Sequence, residues 1–267
     1  MKRYLLMLTW LCAIQLGAAE SATERAPRPT LFIIGDSTVK NGTRGQRGWG
    51  EVISVFFDTN KIRIENHAIG GRSSRTFLTE GRWDKVLTNL QRGDFVLIQF
   101  GHNDGGAVND TSRARGSIRG TGDQTQEIDN LLTKKPEVVH TFGWYLRKYV
   151  ADAKAKGATP IVCSLVPRKI WKDGKITRGD NYAKWAEETA RAENAAFVDL
   201  REIIARRYDA LGTNKVNELF GDDHTHTNPA GAELNAECVV AGLKALSTNA
   251  LSKLLSPRAE AVPAFVR

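Results

Sequence analysis

The sequence predicts an α/β fold in three layers, a parallel sheet with helices on both faces. Three observations predict it. Short apolar runs closed by glycine or polar turns recur, as strands buried on both faces require. Stretches with apolar residues at helical spacing lie between them. The two kinds of segment alternate along most of the chain, the pattern of strands joined by helical crossovers.

The first residues stand apart from that pattern. Met1-Lys2-Arg3 is a short basic region, residues 4–16 are mostly apolar, and Gly17, Ala18 and Ala19 offer a cleavage site. Residues 1–19 read as a secretory signal peptide, with an apolar run too short for a comfortable membrane span. Residues 20–30, with Pro27 and Pro29, read as a polar tether, and residues 31–267 as one domain.

Within that domain, residues 31–34 (LFII) form a continuous apolar run ending at Gly35, as a buried strand would. Trp49, Val52, Ile53, Phe56 and Phe57 then recur at helical spacing. Ile62 and Ile64 alternate with Arg63 and Glu65, which suggests a second strand near an edge. Trp83, Val86, Leu87 and Leu90 mark a helix, and residues 95–100 (FVLIQF) a third strand. A long helix is expected from Pro136, a good first-turn residue, with Val138, Val139, Phe142, Leu146, Tyr149, Val150 and Ala153 on its apolar face and Gly157 at its C-terminal cap. Residues 160–166 give a fourth strand, Tyr182, Trp185 and Thr189 a helix, and residues 196–200 a fifth strand. The last helix opens at Asn228-Pro229, a capping residue followed by a first-turn proline.

Composition agrees with a globule. The chain has 267 residues, 41% hydrophobic and 25% charged, which excludes a disordered or collagen-like protein. Three cysteines in a chain this long exclude a disulfide-built mini-fold, and the two beyond the leader, Cys163 and Cys238, allow one disulfide but are expected rather as two separate buried thiols. No later segment is apolar enough to span a membrane. Loss of Lys2 and Arg3 from 38 basic side chains, against 30 acidic ones, leaves a charge of about +6. An exported basic protein can meet nucleic acid, an anionic envelope or an acidic polymer, and charge alone does not choose among them.

Residues 105–135 interrupt the alternation. They are rich in Gly, Arg, Asp and Thr, follow a strand end directly, and read as an insertion on the face where parallel sheets carry their functional loops.

Four short segments carry chemistry. Gly35-Asp36-Ser37-Thr38 follows the first strand, where a serine on a tight turn can expose its hydroxyl. Gly70-Gly71-Arg72-Ser73 follows the second, and its glycines let backbone approach a ligand. Gly101-His102-Asn103-Asp104 follows the third, and an amide there can donate to a developing oxyanion. Asp222-Asp223-His224-Thr225-His226 precedes the last helix. In that string Asp223 can orient His226 toward a serine, while His-x-His beside two aspartates equally suits a metal. Taken together, the four supply a nucleophile, a base with its orienting acid and oxyanion donors, a complete set for acyl transfer.

These four blocks, in the order Ser, Gly, Asn, His, resemble those of the SGNH (GDSL-type) hydrolases. The longer strings GDSTV (35–39), GGRSSRTF (70–77), FGHNDGG (100–106) and DDHTHTNPAGA (222–232) are similar to the rhamnogalacturonan acetylesterases within that superfamily. The resemblance implies a flavodoxin-like α/β/α fold with a central five-stranded parallel sheet. It implies Ser37 as nucleophile, His226 as base and Asp223 as its orienting acid. The Ser37 and Gly71 N–H groups and the Asn103 amide would form the oxyanion hole. It also implies no cofactor, and an acidic polysaccharide or oligosaccharide as partner rather than nucleic acid; no metal is expected, because Asp223 and His226 already have roles and Cys163 lies inside a strand. The expected activity is removal of O-acetyl groups from pectin, rhamnogalacturonan above all. Acetylxylan, lipid or thioester hydrolysis, and a carbohydrate-binding protein with a vestigial site, are the competing readings. Arg72, Arg75, His102, Arg113, Arg115, Arg119, Trp171 and His224 are the expected substrate contacts: guanidinium forks for carboxylates, an indole for sugar stacking.

Overall fold

A computed structural model of the protein describes residues 28–247 and 250–266. The expected signal peptide and residues 20–27 of the expected tether lie outside the described residues.

In chain order the strands are β1 (Thr30–Gly35), β2 (Arg63–Asn66), β3 (Phe95–Gln99), β4 (Thr125–Asp129), β5 (Pro136–His140), β6 (Thr159–Cys163), β7 (Trp171–Lys172), β8 (Lys175–Ile176) and β9 (Ala196–Val198). The helices are α1 (Ser74–Thr79), α2 (Arg82–Asn89), α3 (Phe142–Ala155), α4 (Tyr182–Ala192), α5 (Leu200–Asn217), α6 (Pro229–Lys244) and α7 (Pro257–Glu260). Five strands form one sheet in the order β2-β1-β3-β6-β9, every pairing parallel.

Burial on both faces explains the apolar runs. Leu31, Ile33, Leu97, Ile161 and Cys163 point into one core with Tyr208, Val239 and Leu243 of α5 and α6. Phe32, Ile34, Val96, Ile98 and Val162 point the other way, onto Trp83, Tyr149, Val150 and Ala186 of α2, α3 and α4. Each fully buried Leu, Ile, Val or Phe among them contributes roughly 1.5–3 kcal/mol by leaving water. Cys163 and Cys238 are free thiols, both buried.

Register places the site. Gly35 lies opposite Gln99, and Gln99 opposite Cys163. The chain therefore leaves β1, β3 and β6 at one level, and three loops emerge side by side at the C-terminal edge of the sheet.

Besides β6 ending at Cys163 rather than at 166, and residues 49–56 forming two short 3-10 turns, the structure departs from the sequence reading in two places. Residues 136–140, expected as the first turn of a helix, are β5, which pairs antiparallel with β4 in a separate hairpin. The β-branched pair Val138-Val139 suits a strand, and Pro136 sits at its first residue, where no ladder donor is lost. The helix starts at Phe142 instead, capped by Thr141, whose hydroxyl accepts the Trp144 N–H at 3.1 Å. The fifth strand ends at Val198 rather than 200, because Asp199 caps a further helix, α5, by accepting the N–H of Glu202.

Candidate active site

Ser37 follows β1 on a turn closed by its neighbours. The Asp36 carbonyl accepts the N–H groups of Val39 and Lys40, and the Asp36 carboxylate accepts the N–H and the hydroxyl of Thr38 at 2.9 and 2.8 Å. Thr38 is held in turn by the amide of Gln99, and Gln99 by the indole N–H of Trp49. This fully internal chain fixes the turn from below. Gly35 is required there: a Cβ would stand 2.6 Å from a Val39 methyl and 2.7 Å from the Gln99 carbonyl oxygen. Ser37 itself stays partly exposed.

The hydroxyl of Ser37 lies 2.8 Å from Nε2 of His226, and Nδ1 of His226 lies 2.7 Å from Oδ2 of Asp223. The other oxygen of Asp223 accepts the N–H groups of Thr225 and His226, both at 2.7 Å, and Gln46 reaches Oδ2 at 3.3 Å. Burial opposes the charge of Asp223, but the His226 imidazole and these backbone donors outweigh it and hold the carboxyl at about 2. An ionised Asp223 fixes the imidazole with its proton on Nδ1 and its Nε2 lone pair toward Ser37. The loop that carries His226 is clamped to the loop after β1, since Arg47 and Thr227 exchange backbone and hydroxyl bonds.

Ser37, Gly71 and Asn103 line one cleft. Among the described residues no acceptor takes the N–H of Ser37 or of Gly71. Gly71 has φ +80°, a left-handed conformation that a side chain would strain and that turns its N–H away from the usual partners. Asn103 is buried, and its amide donates to the Arg72 carbonyl at 2.8 Å. That bond occupies one amide hydrogen and fixes the direction of the other.

Around these groups opens a cleft of about 690 Å³. Of the expected substrate contacts, Arg72, His102, Arg113 and Arg115 line it. Both imidazole nitrogens of His102 are buried. Burial, with Arg168, Arg201 and His226 nearby, pushes the ring down to about 3 and keeps it neutral. Arg113 and Arg115 flank Ala114, whose φ of +40° is a left-handed kink held by Asp110, the acceptor of the N–H groups of residues 112–114.

The structure does not bring the other four to the cleft. Arg75, the second arginine of the GGRSSRTF string, is fully buried: Ser73 caps α1, and the helix turns Arg75 inward onto Glu137 and the carbonyls of Val108 and Gly116. Trp171 packs against the core from the β7–β8 hairpin. Arg119 and His224 are exposed outside the cleft. Sequence reasoning missed Arg168, Gln46 and Leu132, which also line it. Leu132 is 48% exposed at the tip of the β4–β5 hairpin, and only its being apolar in a polar loop could have marked it.

Buried acids frame the floor. Asp104, next to Asn103, accepts the N–H and the hydroxyl of Ser74 and the hydroxyl of Ser117, which ties the loop after β3 to α1 and to residues 105–135. No group of three or more His, Cys, Asp or Glu side chains suited to a metal occurs among the described residues, and His67 pairs with Glu65 instead.

A model of the GDSL-like lipase/acylhydrolase family matches residues 33–234. A rhamnogalacturonan acetylesterase of Emericella nidulans is 36% identical over 210 residues, covering 78% of this chain and 82% of that protein. The probable rhamnogalacturonan acetylesterase YesY of Bacillus subtilis is 29% identical over 236 residues, covering 85% of this chain and 98% of that one. Among solved structures, YxiM of Bacillus subtilis superposes with a TM-score of 0.66 at 25% identity over 82% of this chain, which spans 56% of YxiM. The acetylxylan esterase Axe2 of Geobacillus stearothermophilus, with a TM-score of 0.51 at 20% identity over 79% of this chain and 92% of its own, shares the fold. The chain belongs to the GDSL-like lipase/acylhydrolase family, and it is a serine esterase similar to the rhamnogalacturonan acetylesterases.

Proposed function

We propose that the protein removes O-acetyl groups from an acidic polysaccharide of the pectin class, rhamnogalacturonan in particular, through an acetyl-enzyme on Ser37. The observation that carries this reading is the unbroken run Ser37–His226–Asp223 at the foot of a cleft lined with arginines.

The steps follow from the geometry. Oγ of Ser37 attacks the acetyl carbonyl carbon while its proton passes to Nε2 of His226. Asp223 stabilises the imidazolium without taking its proton. The carbonyl oxygen, now negative, accepts from the N–H groups of Ser37 and Gly71 and from the second hydrogen of the Asn103 amide. Collapse expels the sugar oxygen, which takes the proton from His226, and leaves acetyl-Ser37. Water then attacks the same carbon, loses a proton to His226, and the second collapse returns that proton to Oγ of Ser37 and frees acetate.

Charge supports the substrate class. Arg72, Arg113, Arg115 and Arg168 line the cleft, and Glu80, the one acid among its lining residues, is held by Arg72 and Arg82. A neutral chain such as acetylated xylan offers these guanidinium groups only hydroxyl and ester acceptors, whereas uronate carboxylates add charge and match their fork. Export belongs to the same reading, on the layout of residues 1–19. The test is acetate release from acetylated rhamnogalacturonan, xylan and chitin oligomers at equal ester concentration. The pectic substrate should lead, and a lead for xylan or chitin refutes the substrate assignment.

A further inference from the structure

Arg168 belongs to no motif, yet its position gives it a role. The loops around the cleft leave the sheet in the order β2, β1, β3, β6. Gly71 and Arg72 follow β2, Ser37 follows β1, His102 and Asn103 follow β3, and Arg168 follows β6. At ~4.8 Å between strands, the β6 loop is rooted ~14 Å from the β2 loop. Arg115 donates to the Gly71 carbonyl at 3.1 Å, so the Arg113–Arg115 segment leans on the β2 side. Arg168 stands across from it, and its neighbour Lys169 donates its N–H to the His224 carbonyl at 2.7 Å. Ser37 lies between the two walls.

The four guanidinium groups are not equivalent. Arg72 is held by Glu80 and the Gly70 carbonyl, and Arg115 by the Gly71 carbonyl. Arg113 and Arg168 are exposed, and no protein acceptor engages either side chain among the described residues. Asp110, the nearest acid in sequence to Arg113, has its Oδ1 committed to backbone N–H groups. Each wall therefore carries one uncommitted cation.

We propose that Arg113 and Arg168 are two carboxylate-binding positions on opposite walls of the cleft, which grip the uronate units on either side of the acetylated sugar. The enzyme on this account takes acetyl groups in the interior of an acidic chain in preference to those at its ends. The proposal rests on the pectin reading above and sharpens it.

Two measurements test it on the intact protein and on Arg113→Gln, Arg168→Gln and the double variant. The first is kcat/KM for acetylated uronate-containing oligosaccharides with the ester in the interior or at one end, each divided by kcat/KM for 4-nitrophenyl acetate. Each single change should lower the interior-ester ratio about tenfold or more, the effect of one charge-assisted pair. The double variant should show the product of the two losses, because the positions are far apart. For an end-acetylated oligomer only one of the two changes should matter. The second is inhibition of 4-nitrophenyl acetate hydrolysis by unacetylated oligogalacturonate, which should weaken in each variant and weaken further with salt.

Unchanged ratios together with unchanged inhibition in Arg168→Gln overturn the proposal. So do equal losses in inhibition by oligogalacturonate and by a neutral xylo-oligosaccharide. Should the wild-type protein deacetylate neutral oligomers better than acidic ones, the pectin reading fails by itself, and the oligogalacturonate inhibition then decides for or against the two positions.

Discussion

Arg75 and Glu137 form a bidentate ion pair inside the protein, with Nε 2.7 Å from Oε1 and Nη2 2.8 Å from Oε2, and Arg75 wholly enclosed. The same guanidinium donates to the carbonyls of Val108 and Gly116. One side chain thus joins α1, the β4–β5 hairpin and the segment that carries Arg113 and Arg115 into the cleft. Removing one partner strands a buried charge, so Arg75→Ala should lower stability by ~3–5 kcal/mol. Arg75→Met combined with Glu137→Leu should recover a large part of that loss, because neither charge remains. Urea midpoints with unchanged m values measure both. Equal losses in the two variants would assign the effect to the carbonyl contacts rather than to the ion pair.

Ser37→Ala should retain the wild-type circular dichroism and lose at least about 10³-fold in kcat on any acetyl ester. Asn103→Ala should lose about 10²–10³-fold in kcat with little change in KM, since the amide meets the oxygen only once charge develops there. Substantial turnover by folded Ser37→Ala would refute the acetyl-enzyme route.

Asp36 and Asp104 are buried at the starts of the loops after β1 and β3, and burial pushes each carboxyl up to about 6, only partly offset by hydrogen bonds from Thr38 and from Ser74 and Ser117. The ordinary carboxyl value is 3.8, so the native state keeps protons that the unfolded chain releases. Their stabilising contribution is complete below that value and is lost as pH rises through about 6. Asp36→Asn cannot ionise. Its stability relative to wild type should rise between pH 4 and 7, by ~3 kcal/mol at most, and stay level above. Urea midpoints across that range check the sign, and a relative fall would contradict it.

Chelation should not affect turnover, because His226 and Asp223 bind each other and Ser37 in the arrangement that acyl transfer needs. Rates before and after EDTA, with and without added zinc, measure this. Loss with EDTA and return with zinc would revive the metal reading of the His-x-His string.

What the sequence made legible followed from burial and from chemistry that tolerates few residue types. Residues 31–34 and 95–99 are apolar without a break because both faces of their strands are covered. Ser37, Gly71, Asn103 and His226 stood out because each follows a strand or precedes the last helix. Arg75 looked like Arg72, three residues earlier, and only the capping by Ser73 separates an inward from an outward arginine. Arg168 was silent because it sits alone after a proline, and its place depends on β6 lying beside β3, a long-range pairing. The helix α5 was hidden because its first residue, Leu200, also completes an apolar run that reads as strand.

The contact between Ser37 and His226 joins residues 189 apart. Ser37 is made early and is seated by β1 and β3. His226 arrives just before α6, on a loop latched to Arg47. A chain emerging from the ribosome or threading through a pore therefore holds its serine for most of its length with no imidazole beside it. If Ser37 and His226 act as proposed, it gains hydrolytic power only when the last fifth of the polypeptide has docked. On the acyl-transfer proposal, the order of synthesis itself keeps the unfinished protein inert.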